Sequence, residues 1–205
     1  MLKAKSDRAV WISQHSLPLI LIAFVALASI YSWVTPIFEG PDEIWHFAFA
    51  DHLARGGGLP VFDVNQSATF LRDGAHPPLY YWLVAAVIAP VDRSDFPDQF
   101  HFNLANPKIT PDGKSDRPNL LIHTAREDFP YHNATLAAHL GRLISITLGV
   151  LTIIGVWKVA HVLLPDRDRL AIAATAFAAF VPQFVYGSAT INNDALAAAS
   201  ATWLI

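Results

Sequence analysis

The chain contains no cysteine, so neither a disulfide framework nor a thiolate metal site can be built from it. A metal, if one is bound, must sit on histidine, aspartate or glutamate. Charge is also scarce: only 15% of the 205 residues are Asp, Glu, Lys or Arg, and the net charge is -3. No basic stripe is interleaved with aromatics, which argues against a nucleic acid as partner. What the sequence has instead is apolar residues, 53% of the total, with positive mean hydropathy, more than an ordinary soluble domain carries. These totals predict an integral membrane protein in contact with the lipid bilayer, all-α by the helical spans that follow.

After a basic start at Lys3, Lys5 and Arg8 (residues 1–16), the stretch 17–37 carries no charge. At about 1.5 Å per residue it crosses a hydrocarbon core of roughly 30 Å. It is long for a signal-peptide core, and "SIYSWVTP" presents aromatic anchors rather than a small-residue cleavage site. The positive-inside rule places the N-terminus in the cytoplasm and the region 38–135 outside, in a plasma (inner) membrane. Apolar runs at 136–164 and 170–189 predict two further spans, joined by the basic connector "PDRDR" at 165–169, on the cytoplasmic side. The last run, 195–205, is too short to cross and reads as the start of a further, truncated helix.

Two shorter elements belong to the external region. "PDEIWHFAFADHL" places Ile44, Phe47, Ala48 and Leu53 on one stripe, predicting an amphipathic helix over 41–55 that lies on the outer membrane face. The double proline and 14 apolar residues of 78–91 predict a re-entrant segment, with a kinked full crossing as the alternative. The polar, proline-rich stretch 92–133 reads as loop. Asn133-Ala134-Thr135 fits a glycosylation sequon, a short match with meaning only in a secretory setting.

Three constellations could carry chemistry. The first is the acidic pair Asp42 and Glu43 with His46, three and four residues on, so that either carboxylate can share a helix face with the imidazole. A carboxylate at the edge of a low-dielectric slab suits a general base acting on a hydroxyl. The competing reading is a helix cap with headgroup-level histidines. The second is His76, pinned before Pro77 and Pro78, where an interfacial aromatic belt of Tyr80, Tyr81 and Trp82 is the alternative. The third is "FVPQFVYGSATINNDAL", in which Pro182 interrupts backbone pairing within a span while Asn193 and Asp194 close its outer end. His139 and Arg142, at the outer end of the second span, could meet a lipid phosphate, with snorkelling as the alternative for Arg142. All of these groups fall on one face of the membrane in this topology.

Taken together, "FEGPDEIWHF", "HPPLYYW", "NP…HTAREDFPYH" and "FVPQFVYGSATINNDAL" resemble the N-terminal part of the GT-C superfamily of integral membrane glycosyltransferases. The likeness is to an uncharacterised bacterial multi-spanning family related to protein O-mannosyltransferases and aminoarabinose transferases. It implies a GT-C-like arrangement of transmembrane helices and transfer of a sugar from a polyprenyl-phosphate carrier to an acceptor at the outer membrane face. It further implies Asp42 or Glu43 as catalytic base with His76 lining the same cavity, and substrate-binding roles for Arg142, Asn193 and Asp194; His46, beside the acidic pair, is a further substrate-binding candidate from its position. Members of that superfamily are longer and have more spans. The alternative is therefore a catalytically inactive truncated homologue, an accessory subunit packed against other transmembrane subunits. No cofactor is required; a divalent cation at Glu43, His46 and His76 is the one these residues allow.

Overall fold

The computed structural model describes residues 2–62, 68–106 and 118–205, with side chains from His15 onward. Among the described residues the chain is all-helical. Its helices are α1 (Leu2–Val34), α2 (Glu43–Ala54), α3 (Leu79–Ile88), α4 (Asn133–Leu163), α5 (Asp168–Ala179), α6 (Pro182–Ser188) and α7 (Asp194–Leu204). One antiparallel bridge, Phe102 with Leu121, is the β-type pairing among these residues. Part of the expected loop at 92–133, residues 107–117, lies outside the described residues, as does Met1.

Two helices are long and apolar enough to cross a membrane: α1 over its 20 residues from His15 to Val34, and α4 with 31 residues. The third expected span, 170–189, is not one straight helix. It is the pair α5 and α6, bent by 58° at the break, which makes a third crossing if the pair is a single broken span. Pro182 is the cause: it has no N–H to continue the ladder, and it holds Val181 extended at φ -60°, ψ 121°.

The chain divides into two units. The first comprises α1 up to Trp33, α4 from Ser145, α5, α6 and α7. Its core is Ile20, Phe24 and Ala28 from α1, Ile146 and Ile153 from α4, Ala179 from α5 and Val185 from α6. Phe24 stacks on Phe184 with ring centres 5.5 Å apart. Gly149 makes this approach possible, because a Cβ there would stand 2.7 Å from Phe24 Cζ. Small residues at such crossings let helix backbones approach closely. These helices also carry exposed Ile22, Trp33 and Phe177. On α7, Trp203 Nε1 donates to the Leu151 carbonyl at 3.0 Å, and Lys158 lies 4.1 Å above the Trp203 ring.

The second unit comprises residues 34–144 and 190–192. Its centre is α2, packed against α3 and the 3-10 turn Thr69–Leu71. The helix expected over 41–55 exists, but its environment is not the expected one. Ile44, Phe47, Ala48 and Leu53 are buried, and so are Glu43, His46, Phe49, Ala50 and Asp51 around the rest of the helix. A helix covered on nearly every side is an interior element, not a float on a surface. Its polar side chains are buried because each meets a partner. Asp51 takes the Arg93 guanidinium at 2.6 Å and Arg55 at 2.7 Å, and Arg93 also donates to the carbonyls of Ile88, Ala89 and Val91. Arg93 thereby closes the C-terminus of α3, where carbonyls have no helical donor. That closure, with Pro90 just beyond, is why α3 is a ten-residue helix. Phe38, Phe47, Phe96 and Phe100 fill the space beside α2 as a chain of tilted and edge-to-face rings.

Candidate functional site

The segment from Thr35 to Asp42 turns the chain from α1 into α2 through two left-handed residues, Phe38 at φ 64° and Asp42 at φ 55°. Side chains other than glycine avoid this region, so two of them in five positions mark a turn imposed by its surroundings. The surroundings are the Glu43 carboxylate. Arg142 Nε donates to Oε1 and Nη2 to Oε2, both at 2.7 Å. The Phe38 amide donates to Oε2 and the Ile191 amide to Oε1, both at 2.9 Å. Arg142 also donates to the Thr35 and Pro36 carbonyls at 2.9 and 3.0 Å. Glu43 and Arg142 are both 0% exposed. Gly40 sits against this knot: a Cβ there would stand 2.7 Å from Thr190 Cγ2 and 3.2 Å from Glu43 Oε2.

This geometry separates the two members of the acidic pair. Glu43 has four donors on two oxygens and no route to solvent, so it has no lone pair with which to take a proton from a substrate. Arg142, expected as a contact for a carrier phosphate, instead spends its guanidinium on Glu43 and two carbonyls, and has no exposed face for a headgroup. Asp42 is the reverse. It occupies the N-cap position of α2 without a capping bond from its side chain, and its carboxylate is more than half exposed. Its described partner is Arg72, 3.3 Å away, which also lies 4.6 Å over the Trp45 ring.

One turn further along α2, His46 faces α3. Tyr81 Oη is 2.8 Å from His46 Nδ1 and 2.9 Å from His76 Nδ1, and so bridges the two rings. His76 therefore makes its described hydrogen bond to Tyr81, and not to either carboxylate of the acidic pair. Asp73, three residues before His76, places Oδ2 3.2 Å from His46 Nδ1. That contact lacks hydrogen-bond geometry, and Asp73 Oδ2 is buried with no hydrogen-bond donor.

The "INND" segment contributes by its backbone. Ile191 N–H serves Glu43, and Asn192 N–H donates to Tyr80 Oη at 2.8 Å. Asn193 and Asp194, the side chains expected at the site, open α7 and belong to the first unit. His139, on α4, stacks on Tyr131 with ring centres 4.0 Å apart.

A second charged cluster ties down the long loop. Glu39 accepts from the Leu120 and Leu121 amides at 2.8 and 2.9 Å and pairs with His123 Nε2 at 2.9 Å, while Glu127 meets His123 Nδ1 at 2.7 Å. Burial alone would depress His123, but the hydrogen bonds and charges of Glu127 and Glu39 on either side lift it to about 9. For Glu39, burial pushes upward, yet His123 and the two amides outweigh it and hold the carboxyl below its usual value.

Sequence reasoning passed over Arg72, Asp73 and the bridging role of Tyr81. The signal for Asp73 was the spacing Asp-x-x-His in "RDGAH", which puts a carboxylate and an imidazole on one short turn ahead of the proline pair. Comparison with known protein families, with curated proteins and with solved structures found no match for the chain.

Proposed function

We propose that the chain is an integral membrane protein that works as a GT-C-like glycosyltransferase module, moving a sugar from a polyprenyl-phosphate carrier to an acceptor at the outer membrane face. Asp42 is the base. It takes the proton of the acceptor hydroxyl as that oxygen attacks the anomeric carbon; the bond from that carbon to phosphate oxygen breaks, and polyprenyl phosphate leaves with the electron pair. Glu43 and Arg142 do not touch substrate in this reading; they hold the turn that presents Asp42. Arg72, exposed beside Asp42, is the cation within reach of the carrier phosphate.

The observation that carries the proposal is the contrast within the acidic pair: a fully bonded, buried Glu43 next to an exposed Asp42 held in a left-handed conformation. Functional sites concentrate such backbone strain because the fold must impose it from outside. Two helices long and apolar enough to cross a membrane support the membrane setting that a polyprenyl substrate requires.

The test is release of polyprenyl phosphate by the full chain in lipid nanodiscs, supplied with polyprenyl-phosphate hexoses and pentoses and a panel of hydroxyl acceptors. Transfer by the native chain that is lost in Asp42→Asn, and reduced about tenfold or more in Arg72→Gln, supports the reading. Transfer that survives Asp42→Asn removes Asp42 as base. Absence of transfer with every donor leaves the accessory-subunit alternative in its place.

A further inference from the structure

We propose that His46, Asp73 and His76 form a binding site for a divalent transition-metal ion, separate from the Asp42 site and independent of the sugar-transfer reading. The three come from two directions: His46 from α2, and Asp73 and His76 from the turn that precedes α3. One ligand atom from each lies within 4.8 Å of the other two. Around an ion bound at about 2.1 Å, tetrahedral ligands stand roughly 3.4 Å apart. His46 Nδ1 and Asp73 Oδ2, at 3.2 Å, already have that spacing; the third ligand is His76. It is the exposed member of the set and sits at the rim, where an ion would enter.

Asp73 Oδ2 supplies the independent reason. A carboxylate oxygen that is buried and accepts no hydrogen bond carries a desolvation cost that nothing in the described surroundings repays. The His46–Tyr81–His76 bridge leaves that oxygen out. A phenol has one proton, so Tyr81 can donate to only one of the two Nδ1 atoms and must accept from the other. A cation placed among the three supplies the charge that Asp73 Oδ2 lacks; His46 Nδ1 then exchanges its bond to Tyr81 for the ion, and Tyr81 keeps its hydrogen bond to His76 Nδ1 and so orients that ring.

The donor set selects the ion. Two imidazoles and one carboxylate suit Zn²⁺, Co²⁺ or Fe²⁺, whereas Mg²⁺ and Ca²⁺ prefer all-oxygen shells. Three protein ligands leave a position for water or substrate, the pattern of an open rather than a closed site.

The experiment uses the full chain in detergent with any affinity tag removed, stripped with chelator and then titrated with Zn²⁺ or Mg²⁺ calorimetrically. Co²⁺ is followed in parallel by its visible absorption. The expected result is one Zn²⁺ per chain, a tetrahedral Co²⁺ band, and no Mg²⁺ binding. His76→Gln, at an exposed position that leaves packing intact, and Asp73→Asn should each weaken Zn²⁺ at least tenfold, while His101→Gln, at an exposed histidine elsewhere, should not. Bound Zn²⁺ should raise the melting temperature of the native chain and not that of His76→Gln. Failure to bind Zn²⁺, or affinity indifferent to both His76→Gln and Asp73→Asn, overturns the site. Sugar transfer without added metal leaves the site standing, because the binding measurement reads it directly.

Discussion

Replacing Glu43 with glutamine leaves the Arg142 guanidinium fully buried opposite a neutral amide. The carboxylate accepts four hydrogen bonds, two from Arg142 and one each from the Phe38 and Ile191 amides. Glutamine offers one acceptor oxygen and places an NH2 where the other was. One pair of donors is then turned against a third, and a buried charge loses its counter-ion. Removing one partner of a buried, well-bonded pair costs about 3–5 kcal/mol. Arg142→Met should cost less, because Glu43 keeps its two amide donors, but it also strips the Thr35 carbonyl of its described donor and leaves Pro36 only the Glu39 amide at 3.5 Å. An orphaned buried carbonyl costs about 1–3 kcal/mol.

Glu43→Gln combined with Arg142→Met should cost less than the two singles together, with a coupling of about 2 kcal/mol or more. It should not return to native stability, as some buried pairs do when both members become apolar. The reason is that this pair also serves two backbone amides and two carbonyls, which the apolar replacement leaves behind. The assay is denaturant or thermal unfolding in detergent, followed by tryptophan fluorescence, because Trp45 lies on α2 within the same unit. Single-variant costs below about 1 kcal/mol, or additive costs in the double variant, would refute the argument that this knot holds the turn.

Other outcomes follow from the same structure. The His123 clamp should be pH-dependent: with its folded pKa raised from 6.5 to about 9, its stabilisation is complete below pH 6.5 and lost as pH rises through 9. The ceiling from that shift is about 3 kcal/mol, reduced to about 1–2 by partial exposure. Hydrogen exchange at Leu120 and Leu121 should therefore accelerate between pH 7 and 9.5 beyond the intrinsic rate, and His123→Gln should abolish the extra dependence. Asp42→Gly should relieve a left-handed side chain and raise stability by up to about 1 kcal/mol in urea unfolding, after glycine's own entropy cost, while abolishing transfer. Loss of stability would show that Asp42 is held by more than Arg72. For topology, cysteines placed at Leu104 and Arg167 in this cysteine-free chain should react with membrane-impermeant reagents from opposite sides. Labelling from the same side would overturn the orientation.

The apolar runs made α1 and α4 legible, because a lipid-length stretch without charge has few other uses. Pro182 likewise marked the break between α5 and α6, although the 58° bend is a tertiary fact. What the sequence concealed was the environment of α2. Periodicity separates apolar from polar positions, but it cannot distinguish a polar residue that faces water from one that faces a partner. Glu43 has the same local signature whether it caps a surface helix or meets an arginine 99 residues away. Asp51 was hidden in the same way by Arg93, and Asp73 by its distance from His46. For Glu43 and Asp51 the deciding partner is remote in sequence, so no local pattern could have named it; for Asp73 the local Asp-x-x-His spacing pointed to His76 but not to His46.

The acidic pair shows why adjacency in sequence is a poor guide to shared chemistry. Two carboxylates that share a proton must sit in one environment and repel each other. Asp42 and Glu43 cannot, because the left-handed residue between turn and helix sends their side chains apart, one to solvent and one to Arg142. The buried member is saturated with donors, so it is a structural group. The exposed member has one described partner, an arginine in an exposed pair of the kind worth about 0–1 kcal/mol, so it is free to exchange that partner for a substrate. Neither carboxylate can replace the other: an aspartate at 43 falls one methylene short of the four donors, and a glutamate at 42 carries its charge one methylene further from the strained backbone that aims it. The division is between a residue that shapes the turn and a residue that the turn presents, and the strain at Asp42 is held in place by the bonds that Glu43 makes.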